Sequence, residues 1–104
     1  MTEFEKAEFI NWMKINKNLS DKTISDIASR VKRVEAMFNI NSSSLNDSER
    51  KSLIQNIKSK KELYSPNIKN KYHYGSLLWS IRVYWESIDS KNNVSPANYK
   101  YLRT

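Results

Sequence analysis

The residues with chemical potential in this chain are mostly cations and rings. The stretch Lys69-Asn70-Lys71-Tyr72-His73-Tyr74 interleaves ammonium groups with aromatic side chains. That mixture contacts phosphates and stacks on bases or sugars; the bland alternative is that Tyr72 and Tyr74 bury their rings while the lysines stay solvated. His73 is the one histidine, and no carboxylate is spaced to orient it for proton transfer. A metal site would need several further ligands, and cysteine is absent, so neither a thiolate site nor a disulfide framework is available. Gly75 is the single glycine, too little for a phosphate-cradling loop. Serines and aspartates are plentiful, but nothing suggests a Ser–His–Asp set, and Glu3, Glu5 and Glu8 read as charges placed at a helix N-terminus. The sequence therefore predicts no catalytic residue, no metal and no cofactor.

What remains is charge. The net is +7 over 104 residues, and it is uneven. Residues 1–49 hold 7 Lys/Arg against 8 Asp/Glu, whereas residues 50–104 hold 11 against 3. Such asymmetry suggests a polyanion on one side of the molecule, although a lysine-rich surface also serves solubility alone. No apolar run approaches a membrane span, and the N-terminus is too acidic for a signal peptide. A cytoplasmic protein without a membrane partner is the expectation.

Elements to position these groups emerge from periodicity. Thr2 and Glu5 form a T-x-x-E capping box ahead of a helix from about Glu3 to Asn16, with Phe9, Trp12 and Met13 inward. Lys17 and Asn18 should stop it, Asn18 tolerating left-handed geometry. Ser20 caps a second helix that reaches Phe38, burying Ile24, Ile27, Ala28, Val31, Val34 and Phe38. Lys22, Asp26, Ser29 and Arg33 face the other way, flanked by Arg30 and Lys32. Glu35 falls inside the apolar arc, which predicts a position at the core rim beside a basic partner. After a polar loop, Asn46 or Asp47 caps a third helix over about Ser48–Lys60, with Leu53, Ile54 and Ile57 inward and Arg50, Lys51, Lys58, Lys60 and Lys61 exposed.

Ser76–Ile88 (SLLWSIRVYWESI) is the stretch around which the others must pack. At about 100° per residue, Leu77, Leu78, Ile81, Tyr84, Trp85 and Ile88 make one broad apolar stripe. Trp79 and Val83 point to the opposite side. This fourth helix begins near Asn67 or near Gly75, after Ser65-Pro66, and Pro96 breaks any structure continuing beyond Asp89. The expected architecture is an all-α, compact four- to five-helix bundle: one helical domain over residues 1–95 and a tail, 96–104, packed on it. Tyr99, Tyr101 or Leu102 of the tail would cover Trp79; otherwise Trp79 and Val83 meet a partner or a second copy, as in a weak homodimer.

The order of motifs resembles the core-binding (SAM-like) domain of tyrosine recombinases and phage integrases. Phe9-Ile10-Asn11-Trp12-Met13 is similar to its F-x-x-W/Y-L helix, Leu19-Ser20-Asp21-Lys22-Thr23 to its L-S-x-x-T turn, and Ser76–Trp85 to its closing helix. Ile27 departs from the aromatic usual after that turn, and the catalytic domain of the family has no counterpart. The resemblance implies a DNA-clamping fold without strand transfer, for a mobile element or restriction system. Two readings are open. In one, duplex DNA meets phosphate contacts from Lys51, Lys58, Lys60, Lys61, Lys69, Lys71 and Arg82, with Lys22, Arg30 and Arg33 presented to a groove. In the other, the chain is a regulator or inhibitor from a mobile element whose basic half docks on an acidic protein partner, or whose Trp79 and Val83 form the hot spot.

Overall fold

A computed structural model describes residues 1–59 and 75–91 in full and the helical backbone of His73 and Tyr74. Among the described residues there are four helices: α1 (Glu3–Asn16), α2 (Asp21–Phe38), α3 (Asp47–Ser59) and α4 (His73–Lys91), with a 3-10 turn at Ser42–Ser44 between α2 and α3. No strand occurs among these residues. The fold is an all-α bundle.

Local chemistry sets the helix ends. The Thr2 hydroxyl accepts from the Glu5 N–H at 3.0 Å, and the Glu5 carboxylate accepts from the Thr2 N–H at 2.7 Å. These two reciprocal bonds satisfy two otherwise orphaned donors at the start of α1. Ser20 accepts from the Thr23 N–H, and Asn46 caps α3 in a second reciprocal pair with Glu49. Lys17 is extended at the end of α1, so the left-handed stop expected at Lys17–Asn18 is not used there. It occurs at the end of α2 instead, where Asn39 has φ 51° and ψ 54°, a conformation that asparagine tolerates better than most residues.

α4 lies at the centre and packs against α1, α2, α3 and the 3-10 turn. Leu77, Leu78, Ile81, Tyr84 and Trp85 are buried as the stripe predicts, whereas Ile88 is only half-buried. They join Phe9 and Met13 of α1, Ile24, Ile27, Val31 and Val34 of α2, and Leu53, Ile54 and Ile57 of α3 in one core. Phe9 and Tyr84 meet with ring centroids 4.9 Å apart. With neighbours on several sides, α4 is buried over more than one face. Val83 is therefore in the core at 4% exposure, which corrects its expected outward position beside Trp79.

A polar chain threads this core. The Met1 ammonium donates to Glu35 Oε1 at 2.6 Å, and the Ser42 N–H and hydroxyl donate to Glu35 Oε2 at 2.9 and 2.7 Å. The Ser42 carbonyl accepts from Trp85 Nε1–H at 3.1 Å. Over the Trp85 ring, 5.2 Å from its centroid, lies the Arg50 guanidinium, which donates to both oxygens of Asp89 at 2.9 and 3.0 Å. Glu35 is thus buried and ion-paired, though its cation is the terminal amine and not a basic side chain. Arg50 is also buried, contrary to the exposed position read from the sequence. Its register explains why: Arg50 lies three, four and seven residues before Leu53, Ile54 and Ile57, on their own face of α3.

Candidate nucleic-acid interface

The cations of the described residues separate into two groups. Lys17 pairs with Glu86 at 2.8 Å, Lys32 with Glu3 at 2.9 Å, Lys91 with Glu8 at 3.0 Å and Arg50 with Asp89 at 2.9 Å. Lys17 also lies over the Trp12 ring, 5.6 Å from its centroid. Three of these pairs tie α4 to α1 or α3, and Lys32–Glu3 ties α2 to α1, so these cations serve the fold. The second group is Lys22, Arg30 and Arg33 on α2 and Lys51 and Lys58 on α3, together with Lys6 and Lys14 on α1. No described carboxylate reaches ion-pairing distance of any of them. Lys22, Arg33 and Lys51 are exposed, and Arg30 and Lys58 are half-buried.

Register gathers the first three. Lys22 and Arg33 are eleven residues apart, three turns and about 16 Å along α2, so they stand on one line with Arg30 beside it. Asp26 shares that face and subtracts one charge from it. Lys51 and Lys58, seven residues apart, share the outer side of α3. This geometry can hold phosphate oxygens through flexible, solvated ammonium and guanidinium groups. It offers no base-reading constellation by itself.

Arg82 departs from the expected set. It is 8% exposed, and burial pulls its guanidinium below the usual arginine range. Its place in the sequence shows why, since Leu78 and Trp85 sit four residues before and three after it, on the buried side of α4. Arg82 is not a surface phosphate contact. Lys60, Lys61, Lys69 and Lys71 lie outside the described residues, as do the tail's Tyr99, Tyr101 and Leu102, the 95/96 boundary and the aromatic pair Tyr72 and Tyr74 as side chains. The charge itself is concentrated there: residues 60–72 hold four lysines and one glutamate, and residues 92–104 add Lys100 and Arg103 with no acid, so +5 of the net +7 falls in these two segments.

Titratable groups among the described residues meet in one cleft. A cleft of about 160 Å³ is lined by Glu5, Glu8, Trp12, Ser43, Tyr84 and Lys91 among others. Burial, with the nearby charges of Glu5 and Glu35 behind it, pushes the Tyr84 phenol up to about 12, so it stays neutral at physiological pH. Glu5 is held below the usual carboxylate range, chiefly by the Thr2 backbone N–H it accepts from. A neutral phenol and an occupied capping carboxylate do not make a proton-transfer pair. Among the described residues no group of three or more His, Cys, Asp or Glu is placed to hold a metal ion, and no helix is long and apolar enough to cross a membrane. Trp79 is 42% exposed on α4, the one member of the predicted partner-binding pair that reaches solvent.

No family model, curated protein or solved structure matches the chain.

Proposed function

We propose that this chain is a small non-catalytic DNA-binding module that grips the phosphate backbone of duplex DNA with little sequence preference. The observation that carries the reading is the division of the cations: Lys17, Lys32, Arg50 and Lys91 are paired with carboxylates, whereas Lys22, Arg30, Arg33, Lys51 and Lys58, like Lys6 and Lys14 of α1, have no described carboxylate within reach. Surface cations with no internal partner can release the counterions condensed on DNA, which supplies most of non-specific affinity. The strongly basic segments 60–72 and 92–104 add to the same attraction. On this reading Lys60, Lys61, Lys69 and Lys71 are further backbone contacts. The chain would be a counterpart of the recombinase core-binding domain it resembles, serving a mobile element or a restriction system. Reversing Lys22, Arg30 and Arg33 to glutamate should abolish retention on a random-sequence duplex at an unchanged melting temperature. Retention that survives the triple reversal removes α2 from the interface.

One observation favours a second reading, a module that regulates a protein partner. Trp79 presents a large ring at the surface of the central helix, and tryptophan is enriched among residues that dominate protein interfaces. In that case Trp79→Ala impairs partner binding while DNA retention is absent from the start.

A further inference from the structure

Among the described residues, the most exposed large apolar side chains do not belong to the basic surface. They are Phe4 and Ile15, 70% and 74% exposed, both on α1. Eleven residues separate them, which is three turns and about 16 Å with a rotation of only about 20°. They therefore stand on one flank of the outward face. Ala7 and Asn11, both exposed, lie between them as small or short side chains that let another helix approach. On the other flank of the same face are Glu3 and Lys14, also eleven residues apart. Lys14 is exposed and has no carboxylate of a described residue within ion-pairing distance. Glu3 gives one oxygen to Lys32 and keeps the other free to accept.

From this arrangement we infer that the outer face of α1 is a self-complementary docking surface for α1 of a second copy of the chain, crossing antiparallel about a two-fold axis. When two helices pair antiparallel, like flanks adjoin. Aligning Phe4 with the partner copy's Ile15 brings Ile15 onto the partner copy's Phe4 by the same symmetry. The other flank then carries Glu3 to within two residues of the other copy's Lys14, about 3 Å of helix rise and within reach of a lysine stem. Apolar and charged pairs are satisfied together by one axis near the middle of α1. A parallel alignment about a two-fold would bring opposite flanks together, setting Glu3 against Phe4 and Lys14 against Ile15, and would satisfy neither kind of pair. The contact is one helix face about 21 Å long, smaller than the standard interface of a stable complex, so the dimer is weak and concentration-dependent. The proposed dimer does not rest on the DNA-binding reading.

Sedimentation equilibrium of the full chain over a wide concentration range tests this. The weight-average mass should rise from 12.3 kDa towards twice that value. Phe4→Ser with Ile15→Ser should hold it at the protomer mass with the melting temperature unchanged, because both side chains are solvated in the protomer. Lys14→Glu should weaken the dimer, and adding Glu3→Lys to it should restore association, since the swap re-forms both cross-pairs. A chain that stays at protomer mass throughout, a dimer indifferent to the Phe4/Ile15 variant, or a charge swap that fails to rescue each overturns the inference.

Discussion

Arg50 and Asp89 form a two-pronged ion pair with both side chains about nine-tenths buried. Each stands where its own helix disfavours it. Arg50 is in the first turn of α3, at the positive end of the helix dipole, and Asp89 is in the last turn of α4, at the negative end. Each placement costs roughly 0.3–1 kcal/mol, which the pairing of the two charges offsets. Replacing Arg50 by Met leaves the buried Asp89 carboxylate without its ion-pair partner at a helix C-terminus, and replacing Asp89 by Leu removes the bidentate acceptor of the buried Arg50 guanidinium. Losing one partner of a buried pair costs about 3–5 kcal/mol, against a total stability of about 5–15 kcal/mol for a domain. The double variant Arg50→Met/Asp89→Leu removes both desolvation penalties and both dipole penalties, and should recover most of that loss. Urea unfolding of the four proteins closes the cycle. With a slope of about 1–3 kcal/mol per molar, each single variant should shift its midpoint by more than about 1 M, and the double variant by much less. Single variants that each lose under about 1 kcal/mol, or losses that simply add in the double variant, would refute the claim that these charges compensate each other.

Two further perturbations probe the core around α4. Trp85→Ala should destabilise by about 3–5 kcal/mol through the cavity left by a buried indole; Trp85→Phe, which keeps a ring but loses the donor to Ser42, should lose less, and near-equal losses would show that the hydrogen bond to the loop dominates. Tyr84 is buried with its phenol raised to about 12, so its contribution to stability is fully present below about pH 10, its unfolded value, and is lost as pH rises through 12. Alkaline titration followed by tyrosinate absorbance, run on the chain and on Tyr84→Phe, should differ by one tyrosine that ionises late and together with unfolding; a difference that titrates at about pH 10 while the helices remain intact would contradict its placement.

Local signals in the sequence are legible because their chemistry is local. The T-x-x-E box at Thr2, the Ser20 cap and the apolar periods of α1, α2 and α3 need only neighbours within a turn, and the helices occur within a residue or so of their expected bounds. Charged residues on an inward face are harder to read. Arg50, Arg82 and Asp89 lie on buried registers, but a charge there reads as solvent-facing until its partner on another helix is known. Val83 misleads for a related reason: a wheel with one apolar stripe assumes a single packing side, while α4 has neighbours on several. Glu35 stands between these cases. Its position in the apolar arc signals burial and pairing, whereas the identity of its partners, Met1 and Ser42, depends on how α1 and the 3-10 turn meet. Within the candidate interface, Lys22, Arg30, Arg33, Lys51 and Lys58 are legible because they fall off the apolar stripes of α2 and α3.

The salt dependence of DNA affinity tests the proposed function most directly. Fluorescence anisotropy of a labelled random-sequence duplex, titrated with the full chain at a series of salt concentrations, gives the slope of log K against log salt. Each phosphate neutralised contributes about −0.9 to that slope. With the five cations of α2 and α3 engaged, the slope should be about −4 or steeper, and Arg30→Glu with Arg33→Glu should flatten it by about 2. Absence of binding at low salt, or binding whose affinity does not fall as salt rises, would contradict the assignment of this surface to nucleic acid.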